Sequence, residues 1–172
     1  MGRERFNEAA KKIIPNCGLS PALRKALMVI GSGGKCCFPT CSSCLSPEQA
    51  FKHHWNFKGK RRVFDDLRKI HLCCRGCHDR IHIIAAVMIF YLEFFGSIQE
   101  VLLVRKVAGF LGEDRQNVFF VLKEEFKPAG LVAIKEGRYQ LLDVERWWID
   151  RIKQYLEINR WDLFTKLNLI FN

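Results

Sequence analysis

The chain has 172 residues, of which 49% are hydrophobic, which is enough for one ordinary domain or two small ones and too apolar for a disordered protein. Its 28 Lys and Arg residues against 18 Asp and Glu residues give a formal net charge of +10, which favours an anionic partner. The first 89 residues contain 16 basic and 6 acidic residues, and this is the entire excess, so the attraction for a phosphate backbone is expected in the N-terminal half.

The same composition argues against a membrane or secreted protein. No basic amphipathic helix stands out, which makes an anionic membrane surface the weaker alternative to nucleic acid. The most apolar run, Ile81–Leu92, is too short to span a bilayer and is interrupted by His82. The N-terminal segment MGRERFNEAAKK has no apolar signal core. We therefore expect a protein of the cytoplasm or another reducing, DNA-containing compartment, without export and without a membrane partner.

Residues 1–34 are predicted to be a helical segment. Ser20 followed by Pro21 is a typical helix start, with an N-cap and a proline at the first helical position. The Gly31–Gly34 stretch, of sequence GSGG, then interrupts the helix and leads into the cysteine-rich region.

The next segment is predicted to form two short strands and a helix. Phe51–Phe57 can form the first strand, residues 58–60 a turn, and Arg61–Phe64 the second strand. A helical pattern begins at about Cys77 and runs on into the apolar stretch. His78 and His82 are then at positions i and i+4, on one face of that helix.

The C-terminal half has a different pattern. Ser97–Leu111 and Asp114–Phe126 are predicted helices, the first ending at a glycine and the second opening with acidic residues. The alternating segments Leu131–Lys135 and Arg138–Leu142 predict two strands joined by a Glu-Gly hairpin turn. From Asp143 a long aromatic helix is expected to continue towards the end of the chain.

All eight cysteines lie in the first half of the chain. An even number of cysteines suits disulfides in a secreted protein, but two pairs have the spacing of zinc ligands, Cys41-x2-Cys44 and Cys74-x2-Cys77. Cys37 could replace a member of the first pair, so the choice of zinc ligands among the cysteines at 36, 37, 41 and 44 stays open. Four of the five histidines are interleaved with these pairs, at positions 53, 54, 78 and 82.

In this order the motifs CSSC, FKHHWNF and LCCRGCHDRIH, between residues 41 and 82, resemble the HNH (ββα-metal) nuclease family. The resemblance implies that His53, His78 and His82 bind a catalytic divalent ion, Mg²⁺ or another metal, and that His54 is the general base that activates water. It also implies a separate structural zinc on four cysteines, at positions 41, 44, 74 and 77. The chemistry agrees, because phosphodiester hydrolysis needs a Lewis acid and a base, and imidazole suits the base role near neutral pH.

One residue departs from the family pattern. The family usually has an asparagine nine residues before the first helix histidine, where this chain has Lys69, although Asp66-Leu67 could stand in for the usual Asn-Leu if the loop is longer. A member that binds nucleic acid without cutting it is therefore the main alternative. A zinc-ribbon-like module with incidental histidines and a zinc-bearing protein–protein adaptor are further alternatives. His71 is expected to have no chemical role.

The C-terminal sequence resembles a winged helix-turn-helix over about 38 residues, from KVAGFLG to RYQLLD. In that family the second helix enters the major groove, and polar side chains near its start can contact base edges. Together with the basic residues around the histidines, this predicts the following nucleic-acid contacts: Lys58, Lys60, Arg61, Arg62, Arg75, Arg80, Arg115, Gln116 and Asn117. The neutral charge of this half is also compatible with protein contacts.

These observations predict an α+β protein in three parts. They are an N-terminal helical segment over 1–34, a zinc-stapled HNH-like module over 35–95, and a winged-helix-like module with a C-terminal helix over 96–172. The expected activity is metal-dependent endonucleolytic hydrolysis, with DNA favoured over RNA as the substrate. A homodimer formed through the aromatic helix Trp147–Phe171 is a further hypothesis, since one active site cutting both strands would favour a dimer.

Overall fold

The computed structural model describes residues 20–54, 70–127, 130–142 and 146–171. The chain divides into two compact units, Met1–His78 and Asp79–Asn172. Their described residues contain six α-helices, a two-stranded antiparallel sheet and a three-stranded antiparallel sheet. The predicted α+β class is confirmed, whereas the three-part organisation expected from the sequence stays a prediction.

The first described element of the N-terminal unit is helix α1, Pro21–Gly31. The side chain of Ser20 accepts a hydrogen bond from the backbone N–H of Leu23 at 3.3 Å, and proline occupies the first turn. The predicted helix start is therefore confirmed. The predicted break after it is also present, because Gly33 and Gly34 both have a φ of +66°, which favours glycine.

A pair of antiparallel strands precedes the long helix of the chain. Strand β1, Phe51–His54, pairs with β2, Ile70–Cys73, in a register that places Phe51 opposite Cys73 and His53 opposite His71. The segment expected to be the second strand, residues 61–64, lies outside the described residues, as does the turn at 58–60. In the described structure the partner of β1 is instead the short stretch IHLC just before the second cysteine pair.

Helix α2, Arg75–Phe95, begins two residues after β2 and continues into the C-terminal unit. Residues 84–92 of its apolar run are all buried, and the side chains of Ile81, Ala85, Met88 and Leu92 are fully inaccessible to solvent. The helix therefore forms the centre of the core of the C-terminal unit. None of the helices in the described part of the chain combines the length and the hydropathy that crossing a bilayer requires.

Two further helices follow α2. Strand β3, Ile98–Gln99, leads directly into α3, Glu100–Leu111, so the predicted helix from Ser97 begins later because its first residues join a sheet. Helix α4, Arg115–Phe120, continues as a π-helical segment, Val121–Phe126. The side chain of Asp114 caps α4 by accepting from the N–H of Gln116 at 2.7 Å.

The predicted C-terminal hairpin is confirmed. Strands β4, Val132–Lys135, and β5, Arg138–Leu141, are antiparallel, and β5 is the central strand of a sheet with the order β3-β5-β4. The two turn residues have positive φ angles, +53° at Glu136 and +71° at Gly137. Two positive φ values match the type I′ geometry that closes two-residue hairpins.

The expected single long helix at the end of the chain is two helices, α5, Arg146–Asn159, and α6, Trp161–Phe171. They are separated at Arg160, whose N–H donates to the carbonyl of Leu156 and whose carbonyl accepts from Leu163 and Phe164. The guanidinium of Arg160 also binds the carboxylate of Asp162 in the first turn of α6. These local hydrogen bonds satisfy backbone groups at the junction between the two helices.

Candidate metal centre

Four cysteine side chains converge in the N-terminal unit. The Sγ atoms of Cys36, Cys41, Cys74 and Cys77 all lie within 4.8 Å of one another, and those of Cys41 and Cys74 are 3.9 Å apart. Cys36 and Cys77 are buried, whereas Cys41 and Cys74 are partly exposed. The described cysteines form no disulfide. This cluster could hold a structural metal ion such as zinc.

The backbone around the first two cysteines is a closed loop. Lys35 pairs with Cys44 across it, the N–H of Cys36 donates to Ser43 O at 3.2 Å, and the N–H of Cys41 donates to Phe38 O at 3.0 Å. These bonds turn the side chains of Cys36 and Cys41 towards the same point. The backbone hydrogen bonds within this loop hold it in a closed conformation, and this conformation keeps Cys36 and Cys41 close together.

The second pair of cysteines is placed by the junction between β2 and α2. Cys74 follows β2 directly, and its N–H donates to the Sγ of Cys36 at 3.4 Å. Cys77 is in the first turn of α2. The N–H of Cys37 donates to Leu72 O at 2.8 Å and thereby ties the loop to the strand. Two chain segments more than thirty residues apart thus meet at the four sulfurs.

The geometry fits a tetrahedral zinc site. A zinc ion with Zn–S distances of about 2.3 Å separates its sulfur ligands by about 3.8 Å, close to the distance between Cys41 and Cys74. No two of the four sulfurs are more than 4.8 Å apart, so they are close enough to share one zinc ion. Thiolates are also the ligands that zinc prefers in closed structural sites.

The electrostatics of the cluster also favour a cation. Hydrogen bonding from Cys37, against the effect of burial, lowers the pKa of Cys36 to about 4. Burial and hydrogen bonding to Cys74 and Cys41 raise the pKa of Cys77. A bound divalent cation would stabilise all four thiolates together, because metal ligation requires and favours the deprotonated form.

The cluster differs by one member from the set predicted from the two CxxC pairs. Cys36 occupies the fourth position, whereas Cys44 is exposed and contributes its backbone to the bridge with Lys35. The sequence signal for Cys36 is weaker, because a Cys-x4-Cys spacing is less specific than Cys-x2-Cys. Of the cysteines at 36, 37, 41 and 44, among which the sequence leaves the choice of ligand open, the structure places Cys36 and Cys41 in the cluster.

The four histidines of the expected catalytic site lie on β1 and on α2. His53 and His54 are the last two residues of β1, and their side chains fall outside the described part of the structure. His78 lies in the first turn of α2, where its N–H donates to Cys74 O at 2.9 Å and its ring centre is 5.8 Å from that of Phe51. His82 is one turn further along the same helix.

His82 is held by the C-terminal unit, to which it belongs. Its ring is stacked on that of Tyr155 from α5, with the ring centres 4.7 Å apart and the planes 30° apart. The hydroxyl of Tyr155 donates to Oδ1 of Asp79 at 3.3 Å. The sequence patterns gave no indication of this contact, since it joins residues more than seventy positions apart.

Several of the expected nucleic-acid contacts can be located. Arg75, Arg115 and Gln116 are exposed. Arg80 forms two hydrogen bonds to the carboxylate of Glu113, one of them from Nε at 3.0 Å, so its guanidinium is engaged within the C-terminal unit. The expected contacts at 58, 60, 61 and 62, and the departing residue Lys69, lie outside the described residues.

Asn117 is placed differently from the expectation of a base contact. It is fully buried, and its Nδ2 donates to Oε1 of Glu113 at 2.7 Å. Burial would raise the pKa of Glu113, but the hydrogen bonds from Arg80 and Asn117 outweigh it and lower the pKa. The Asn117 amide therefore stabilises a carboxylate inside the unit and is not presented at the surface. Asn117 lies next to Val118, which is also buried, on the side of α4 that packs into the unit.

Comparison with protein-family models, with curated proteins and with solved structures gives no match. The functional assignment therefore depends on the residues of this chain and on their geometry.

Proposed function

We propose that this protein is a metal-dependent endonuclease of the HNH type that hydrolyses phosphodiester bonds, with DNA as the favoured substrate. The observation that supports it most is the order strand, strand, helix over β1, β2 and α2, with a histidine pair ending the first strand and two histidines on the first two turns of the helix. That is the arrangement the HNH resemblance implies. It was expected from the motifs, although the second strand lies nearer the helix than expected.

The cysteine cluster supports the same proposal. It lies at the junction between β2 and α2, so a bound zinc would fix the first turn of the helix that contains His78. The described part of the N-terminal unit buries few large apolar side chains, among them Val29, Phe38, Leu45 and Leu72. Within these described residues the apolar core is small, and a metal staple would stabilise it.

In the proposed mechanism three histidines bind the metal ion and a fourth acts as the general base. His53, His78 and His82 hold a divalent ion such as Mg²⁺, which when bound supplies Lewis acidity at the scissile phosphate. His54 accepts a proton from the attacking water, for which a neutral imidazole is suited near neutral pH. Exposed Arg75, one turn from His78, contributes positive charge for the phosphate backbone.

The C-terminal unit is proposed to assist binding. Helices α3 and α4 followed by the β4–β5 hairpin agree in order with the winged helix-turn-helix resemblance. Arg115 and Gln116 at the exposed start of α4 are the side chains available for base edges. The unit is electrically neutral, with 13 basic and 13 acidic residues, so its contribution would be positioning and not electrostatic attraction.

A second candidate function is a zinc-stabilised nucleic-acid-binding protein without catalysis. The observation in its favour is Lys69, which takes the position where the HNH pattern has asparagine. Both candidates predict zinc and salt-sensitive binding, so they differ only in cleavage.

The deciding experiment is nicking of supercoiled plasmid by zinc-loaded protein with added Mg²⁺, Mn²⁺ or Ni²⁺. We expect cleavage in wild type and in His71→Ala, a matched histidine control, and a loss of at least about 100-fold in His54→Ala, the size of a general-base contribution. Zinc content and plasmid binding are measured on each variant to show that the fold is kept. A wild type that binds plasmid and zinc but cuts under none of the three metals would leave the non-catalytic function.

A further inference from the structure

The contact between α2 and α5 places an aromatic ring on one of the proposed metal ligands. Tyr155 covers the ring of His82 with the centres 4.7 Å apart, and its hydroxyl binds Asp79, three residues before His82 on the same helix. The tyrosine therefore contacts two successive points on α2. A histidine on a helix can rotate about two side-chain bonds, and a stacked ring restricts both.

Tyr155 is itself firmly placed. Its neighbours on α5, Ile152 and Leu156, are buried. Helix α5 is also attached to α2 at a second point, where Lys153 donates to Oε2 of Glu93 at 2.8 Å. The ring that covers His82 is thus held by core packing on one side and by a hydrogen bond on the other.

Resting on the function proposed above, we infer that Tyr155 is a positioning residue for the catalytic metal: it fixes the imidazole of His82 in the orientation that binds the ion. Partners of a ligand that fix its orientation typically contribute about 10- to 100-fold to metal affinity. A tyrosine that only fills space would leave the affinity unchanged.

The test is the affinity of zinc-loaded, full-length protein for Mn²⁺, followed by the electron paramagnetic resonance of the free ion. Mn²⁺ prefers nitrogen and oxygen ligands and does not displace zinc from thiolates. Tyr155→Leu removes the ring, Tyr155→Met fills its place with a flexible side chain, and Tyr155→Phe keeps the ring without the hydroxyl. Tyr91→Leu is the matched control. Tyr91 belongs to α2, its ring packs against that of Phe171, and it lies about 13 Å along the helix from His82.

We expect one Mn²⁺ per chain in wild type, its loss in His78→Ala, and affinity about 10- to 100-fold weaker in Tyr155→Leu and Tyr155→Met. Tyr155→Phe should stay within a few-fold of wild type, and Tyr91→Leu should lower thermal stability without changing the affinity. Unchanged affinity in both Tyr155→Leu and Tyr155→Met, with His78→Ala still abolishing binding, would overturn the positioning role and leave the nuclease proposal standing. A folded, zinc-loaded wild type that binds no Mn²⁺ would overturn the positioning role, while the nuclease proposal would be decided by plasmid cleavage with all three metals.

Discussion

At the scale of single residues, the fourth sulfur of the cysteine cluster depends on backbone geometry more than on spacing. Cys41 and Cys44 have the spacing of a zinc pair, but the backbone pairing between Lys35 and Cys44 leaves the Cys44 side chain exposed. The same pairing places Cys36 inside, against the N–H of Cys74. The spacing of cysteines in the sequence does not reveal this backbone pairing between Lys35 and Cys44, so it could not show that Cys36 is the buried ligand.

The distinction predicts opposite results for two similar substitutions. Cys36→Ser should lose most of the bound zinc, because it removes a buried ligand, whereas Cys44→Ser should keep one zinc per chain. Zinc content measured by elemental mass spectrometry, with a thermal melt of each variant, checks both. Equal zinc loss in the two variants would show that Cys44 is a ligand.

A second prediction separates the neighbouring residues Gln116 and Asn117. Asn117→Ala removes a buried donor from the carboxylate of Glu113 and should lower the free energy of unfolding by about 1–3 kcal/mol. Gln116→Ala, at an exposed position, should change it by less than about 0.5 kcal/mol. Urea unfolding measures both, and DNA affinity measured in parallel should fall only for Gln116→Ala. Reduced affinity in a stable Asn117→Ala protein would restore the base-contact role for that residue.

At the scale of elements, the features that local sequence decides were predicted well. The Ser20-Pro21 helix start, the buried helix with Ile81–Leu92, and the Glu136-Gly137 hairpin all depend on residues adjacent in sequence. Strand β2 was missed because a four-residue strand has no periodicity of its own and forms through pairing with β1. The late start of α3 has the same cause, since β3 exists only through its pairing with β5.

In the C-terminal unit one carboxylate connects three elements: α3, the π-helical segment and β5. The carboxylate of Glu100, at the start of α3, accepts from Lys123 of the π-helical segment and from the hydroxyl of Tyr139 in β5. The hydrogen bond from Lys123 holds the pKa of Glu100 below its usual value, although burial opposes it. A carboxyl with a lower pKa in the folded state adds stability above its unfolded pKa and loses it as the pH falls through the folded value.

Glu100→Gln should therefore lower the free energy of unfolding by about 1 kcal/mol at neutral pH. The difference from wild type should shrink as the pH falls below the ordinary carboxyl pKa of 4.5. Urea unfolding at a series of pH values tests this, with the exposed Glu124→Gln as a control. A difference that is the same at acidic and at neutral pH would mean that the charge of Glu100 is not involved.

At the scale of the whole molecule, the two units differ in what stabilises each of them internally. The C-terminal unit has a large apolar core centred on α2. The described residues of the N-terminal unit contain the cysteine cluster and only a small apolar core. Removal of zinc by a strong chelator should therefore expose the amides of residues 35–45 and 70–74 to hydrogen exchange and leave those of α3 and β5 protected. Exchange that rises equally in both units would show that the metal stabilises the entire chain.

The charge divides in the same way, since the N-terminal unit has 15 basic and 5 acidic residues and the C-terminal unit is neutral. Each phosphate contact that is lost should reduce the slope of log affinity against log salt by about 0.9 for duplex DNA. Arg75→Ala should show such a reduction, whereas Arg105→Ala, an exposed arginine on α3, should leave the slope unchanged. Fluorescence anisotropy of a labelled duplex over a range of salt concentrations measures both slopes. If Arg105→Ala changes the slope and Arg75→Ala does not, the DNA backbone is bound by the C-terminal unit in spite of its neutral charge, and the N-terminal excess has another partner.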